Sequence, residues 1–148
     1  MKKAIIFITL LIYATGSAQI LEPVKWTTSV TKISNTEYEL VAMATIEKNW
    51  HLYSQTVPDD GPIPTNFTFE GSGNYLKKGN TTEEKGHTID DPIFDMKITY
   101  FENKASFKQR IKLKEKVPFK VNATVEFMVC DDSRCLPPTE VDLVFNIK

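Results

Sequence analysis

The stretch FKVNATVEFMV, residues 119–129, alternates without a break: Phe119, Val121, Ala123, Val125, Phe127 and Val129 stand against Lys120, Asn122, Thr124, Glu126 and Met128. A strand sends successive side chains to opposite faces, so this period commits the segment to a half-buried β-strand and rules out a helical stripe. Val141, Leu143, Phe145 and Ile147 alternate with Asp142, Val144, Asn146 and Lys148 in the same way, and the two runs are predicted to pair as a hairpin. Tyr38, Leu40, Ala42, Ala44 and Ile46 make a third set, and Phe107, Gln109, Ile111 and Leu113 a weaker fourth. Val24 to Ile33, Trp50 to Ser54, Thr65 to Phe69 and Met96 to Phe101 are shorter candidates.

Turn formers separate these runs at Ser34-Asn35, Pro58-Asp59-Asp60-Gly61-Pro62, Gly71-Ser72-Gly73-Asn74, Gly79-Asn80 and Asp90-Asp91-Pro92. Many short strands at such intervals predict an all-β chain folded as an antiparallel β-sandwich. The sequence has no helix-length apolar stripe, internal repeat or low-complexity tract, so residues 19–148 read as one domain. That length buries an adequate core without help from a disulfide or a metal.

The first residues read differently. Met1, Lys2 and Lys3 are followed by the apolar run Ala4 to Ala14 and by the small residues Gly16, Ser17 and Ala18, the order of a secretory signal with its cleavage site. The run falls short of the roughly 20 residues that span a bilayer. Residues 1–18 are therefore expected to direct export and be removed, leaving a soluble periplasmic protein. With Lys2 and Lys3 gone, 16 of the 18 basic residues face 19 acidic ones, a net charge of -3. That balance argues against a nucleic-acid partner, which needs basic surface.

The two cysteines, Cys130 and Cys135, lie between the two clearest strands in VCDDSRCLPPTE. In an exported protein such a pair is most often a structural bridge. A loop this small, however, returns only roughly 2 kcal/mol in the chain-entropy treatment, and its place at a hairpin end leaves sulfur open to a partner's thiolate. Asp131 and Asp132 disfavour a thiolate while Arg134 favours one. Pro137 and Pro138 remove two donors and fix two φ angles, so the chain leaving Cys135 is stiff: it either starts the next strand or acts as a rigid platform for the sulfur. Taken alone, the residues leave staple and redox tool both open. Cys130 and Cys135 with His51 or His87 could make a metal site, but these are the only two histidines and lie far apart in the chain. No metal or other cofactor is expected.

Val129-Cys130-Asp131-Asp132-Ser133-Arg134-Cys135-Leu136-Pro137-Pro138-Thr139-Glu140 resembles the cysteine segment of the N-terminal periplasmic domain of the bacterial thiol:disulfide interchange protein DsbD. Trp50-His51-Leu52-Tyr53, and Asp91-Pro92-Ile93-Phe94-Asp95 ahead of Tyr100-Phe101, add to the likeness, which extends over most of the chain after residue 18. The resemblance implies an immunoglobulin-like sandwich in which Cys130 and Cys135 are the redox pair and Cys135, held by Leu136, Pro137 and Pro138, forms the mixed disulfide. A cap over Asp90 to Met96 would shield the pair through Phe94, with Ile93 the competitor one residue away, and Asp91 would assist proton movement. Thioredoxin-like periplasmic proteins or domains are the implied partners of a protein-disulfide reductase or electron relay that acts as a monomer. The chain departs from the pattern in a cysteine spacing one residue shorter, in Leu136 where an aromatic is usual, and in Pro92 where a second acidic residue stands. It stops at Lys148 without an electron conduit, so a stand-alone version served by a separate membrane-embedded donor is expected. The competing expectation is an exported immunoglobulin-like binding module whose disulfide is purely structural.

Overall fold

The computed structural model describes residues 21–148, so the segment read as a secretory signal, 1–18, lies outside the described residues. The elements are β1 (Val24–Lys32), β2 (Glu37–Ile46), β3 (His51–Tyr53), β4 (Asn66–Phe69), β5 (Tyr75–Glu83), β6 (His87–Asp91), β7 (Met96–Phe101), β8 (Lys104–Leu113), β9 (Phe119–Phe127), β10 (Val129–Cys130) and β11 (Thr139–Ile147). They form three antiparallel sheets, ordered β1-β2-β8-β5, β11-β9-β4 and β10-β3-β7-β6.

The first two sheets make the sandwich. Val121, Ala123, Val125 and Phe127 of β9 face inward with Leu143, Phe145 and Ile147 of β11, and Leu40, Ala42, Ala44 and Ile46 of β2 meet them from the other layer. Trp26 joins the layers: its ring lies 5.6 Å from Phe107 of the first sheet and 5.8 and 5.5 Å from Phe67 and Phe127 of the second. Thr28 Oγ1 donates to Val144 O at 2.7 Å, tying β1 to β11. The predicted hairpin is present as β9 paired with β11, from Ile147 opposite Phe119 to Thr139 opposite Phe127.

Two strands depart from the sequence expectation. Gly79-Asn80, read as a turn, lies inside β5, where the register against β8 shifts between Lys78 and Thr82 and Gly79 takes a φ of 69°. The bulge leaves carbonyls that the ladder does not use. Gln109 serves them: this buried amide donates through Nε2 to Lys78 O and Gly79 O, each at 3.3 Å, and accepts from Thr81 Oγ1 at 3.1 Å. The polar residue that weakened the apolar row of β8 is therefore the partner of the bulge. His87, read as a loop residue, opens β6, an edge strand whose first four residues are exposed and carry no alternation to read. Gly86 just before it lets the chain close on β7, since a Cβ there would sit 2.8 Å from Tyr100 O.

Gln109→Leu adds apolar volume to the core yet strands these carbonyls. It should destabilise the protein by about 2 kcal/mol in urea unfolding, the cost of unpaired buried polar groups. A gain in stability would show that burial alone governs the position.

Candidate redox site

The third sheet places the cysteines through strand parity. Leu52 opposes both Val129 and Phe101, and all three point into the main core. Their neighbours must then point the other way: His51 opposes Cys130, and Tyr53 opposes Tyr100. On that outer face Tyr53, Ile98, Tyr100 and Cys130 form a second buried cluster, with Val57, Phe94, Met96, Met128 and Cys135 packed around it. β9 supplies the segment by running on through Met128 into β10, leaving β11 for β3.

Cys130 and Cys135 are disulfide-bonded and face each other across a tight hairpin. Asp131 N donates to Arg134 O and Leu136 N donates to Val129 O, each at 2.9 Å, so the cysteines form the intervening pair without backbone hydrogen bonds between them. In such a pair the N–H and C=O of Cys135 point to the open side of the hairpin. The two cysteines are unequal: Cys130 is 1% exposed and Cys135 half-buried. The hairpin end was expected to leave sulfur open to a partner; Cys135 is the cysteine at the surface, because parity drives Cys130 into the second cluster.

Asp131 builds the turn. Its Oδ1 accepts from Ser133 N, Ser133 Oγ and Arg134 N, each at 2.9 Å, and its Oδ2 from Arg134 Nε at 3.2 Å. The bonds from Ser133, followed by those from Arg134, hold the carboxyl down at about 2. Arg134 is thereby engaged, and its guanidinium also lies 5.9 Å over the Trp50 ring. Of the opposed charges read in the sequence, Asp131 and Arg134 are thus paired with each other while Asp132 is exposed, and the stacking of Arg134 on Trp50 had no signal in the sequence.

Asp91 performs the same service for the cap. It ends β6, and its buried carboxylate accepts through Oδ1 from Ile93 N at 2.8 Å and Phe94 N at 3.2 Å, while Asp91 O accepts from Asp95 N at 2.8 Å. Tyr53 Oη donates to Asp91 Oδ2 at 3.5 Å. Burial, with the Asp91 charge beside it, pushes the Tyr53 phenol well above its ordinary range, and burial likewise raises Tyr100. In the segment expected as a cap, Asp90 to Met96, residues 92–95 form the β6–β7 turn, while Asp90, Asp91 and Met96 belong to its strands. Within the turn Phe94 packs on the second cluster, edge-on to Tyr53 at 6.0 Å, whereas Ile93 is 42% exposed.

The other predicted site residues lie close by. Leu136 packs on the main core, and Pro137 and Pro138 are exposed between the hairpin and β11. Sequence reasoning gave Tyr53 and Tyr100 no role beyond the family likeness and Ile98 and Met128 none beyond their strands, yet all four belong to this cluster or pack on it. Parity was the available signal: once Leu52 and Phe101 are assigned inward, His51, Tyr53 and Tyr100 share the face of Cys130.

The family model described as thiol:disulfide interchange protein DsbD, N-terminal, matches residues 17–145. Among solved structures, the reduced N-terminal domain of DsbD from Neisseria meningitidis is similar with a TM-score of 0.50 at 15% identity, over 82% of this chain and 83% of that one. The N-terminal periplasmic domain of ScsB from Proteus mirabilis gives a TM-score of 0.57 at 13% identity over 84% of this chain, which spans 48% of that one. At these identities the likeness is one of fold, and it identifies the sandwich as immunoglobulin-like. No curated protein sequence matches the chain. Among the described residues no helix is long and apolar enough to cross a membrane.

The Asp131 carboxyl lies at about 2 in the folded chain against an ordinary 3.8. Its stabilisation of the turn is therefore complete above about pH 4 and is lost as pH falls through about 2. Asp131→Ala should lower the thermal midpoint at pH 7, and the deficit should shrink as the pH is lowered from about 4 to about 2. A deficit constant across that range would show that Asp131 does not act through its charge.

Proposed function

Since the chain belongs to the DsbD N-terminal domain family, we propose that it is a periplasmic thiol:disulfide exchange domain whose Cys130 and Cys135 pass two electrons between thioredoxin-like partners. The observation that carries this reading is the unequal burial of a disulfide at the edge of a small sheet, with Cys130 sealed in the second cluster and Cys135 half-buried at the surface. A staple gains nothing from such an arrangement. The bridge closes only a short hairpin, while the sandwich core is packed without it.

The chemistry follows from access. A partner thiolate attacks Cys135 Sγ, the bond to Cys130 breaks, and a mixed disulfide through Cys135 forms. The outward N–H and C=O of Cys135 offer an extended partner segment one pair of backbone hydrogen bonds to align the attack. Exchange needs no cofactor or metal. In the opposite direction reduced Cys135 attacks the partner's disulfide and Cys130 resolves the intermediate. Phe94 is the shield, Asp91 holds the turn that carries it, and Ile93 faces solvent. Leu136 anchors the strand behind Cys135, and Pro137 with Pro138 ends backbone pairing beyond it. Residues 1–18 act as the export signal.

Cys130→Ala should trap a thioredoxin-like protein on Cys135 as a covalent complex visible on a non-reducing gel, and Cys135→Ala should not. Trapping by neither variant would return the bridge to the role of a staple in a binding module. Phe94→Ala should speed reduction of the bridge by a small dithiol roughly tenfold, the loss of about 1.4 kcal/mol of closure, while Ile93→Ala leaves the rate unchanged. Equal rates for Phe94→Ala and the unsubstituted protein would leave Phe94 a packing residue only.

A further inference from the structure

A buried thiol resists ionisation, yet the exchange cycle requires Cys130 to become a thiolate in a place that is 1% exposed. Resting on the exchange reading above, we propose that His51 takes this proton when Cys130 attacks and returns it when Cys130 leaves.

His51 stands directly opposite Cys130 in the antiparallel register. Opposed residues share a face with Cβ atoms about 4.5–5.5 Å apart. Its ring is fixed against Tyr100 at a centroid distance of 4.3 Å, and Nε2 lies 3.1 Å from Glu102 Oε1. A carboxylate can only accept, so Nε2 carries the hydrogen and Nδ1 keeps a free lone pair. The side chain is 14% exposed and lines a polar cleft of about 290 Å³ with Glu47, Trp50, Glu102 and Asp132, which gives the proton a way to water. Charged groups reach this cleft from each neighbouring element: Glu47 and Lys48 from the β2–β3 turn, Glu102 after β7, and Asp132 from the hairpin, while Arg134 is held by Asp131 and Trp50.

The other nearby groups are poorly suited. The phenols of Tyr53 and Tyr100 are raised by burial, and Asp91 spends its Oδ1 on two cap amides.

The Cys135 thiolate attacks one sulfur of the partner's disulfide, whose other sulfur departs as a thiolate. His51 accepts the Cys130 proton, and the resulting thiolate attacks Cys135 Sγ. The Cys130–Cys135 bond forms, the mixed disulfide breaks, and the partner's second sulfur leaves as a thiolate that collects the proton from His51 or water. The cysteine pair is oxidised by two electrons and the partner's disulfide reduced by two.

Reaction of the reduced protein with 5,5′-dithiobis(2-nitrobenzoate) separates the steps, since attack by Cys135 releases the first thionitrobenzoate and resolution by Cys130 the second. His51→Gln should leave the first phase unchanged and slow the second about 100-fold at pH 6.5, with the loss shrinking steadily as rising pH ionises a growing share of the thiol without a base. An unchanged second phase, or an equal loss at every pH, overturns the proposal. Glu102→Gln, on a side chain outside the core, should slow the second phase less but with the same pH dependence; should His51→Gln not fold, an unaltered Glu102→Gln profile overturns it instead. Two-phase release by the unsubstituted protein with no effect of either variant removes His51 alone, whereas absence of a second phase in the unsubstituted protein removes the exchange reading and this inference with it.

Discussion

The pairing of Val129 with Leu52 and of Cys130 with His51 is the contact on which the site depends. Because a strand has two faces and no more, burying Leu52, Val129 and Phe101 in the sandwich forces His51, Tyr53, Cys130 and Tyr100 to the opposite side. A slip of one residue would exchange the two sets, sending a histidine and a tyrosine into the apolar core. The hydrophobic energy of the main core thus fixes the register of a sheet in which β10 has only two residues and β3 three. A site built in this way needs little stability of its own.

Two turn carboxylates then shape what the sheet presents. Asp131 closes the cysteine hairpin and Asp91 closes the cap, each by accepting backbone N–H groups from the residues that follow it. Neither is placed as a counter-charge to sulfur. Asp131 is paired with Arg134 and Asp91 with the Tyr53 phenol, so these two carboxylates are spent on geometry. Both turns are thus held locally, and the second carries Phe94 against the cluster that buries Cys130.

The sandwich was legible in the sequence because its strands bury one face only, and the period of two in β2, β8, β9 and β11 follows directly. β5 and β6 were not legible, for separate reasons. In β5 a bulge at Gly79 mimics a turn and its partner Gln109 sits on another strand, while β6 is an exposed edge with no buried face to impose a pattern. At the site, Cys130 and Cys135 stood out in the sequence but their unequal burial did not, since it arises from strand parity in a sheet the sequence scarcely marks. The resemblance put Phe94 ahead of Ile93 by one residue and the turn has no period to separate them; in the fold Phe94 packs on the second cluster and Ile93 is exposed. Asp131 and Arg134 looked like competing influences on a thiolate because their mutual contact depends on the fold of the turn.

In the proposed function Cys130 and Cys135 are exchanged in use rather than kept as a permanent bridge. Equilibration of the protein with a graded dithiothreitol or glutathione series measures their reduction potential directly. An exchanging pair should give a value among those of thioredoxin-like enzymes, between roughly -270 and -120 mV. A value below roughly -300 mV, the range of structural disulfides, would contradict it.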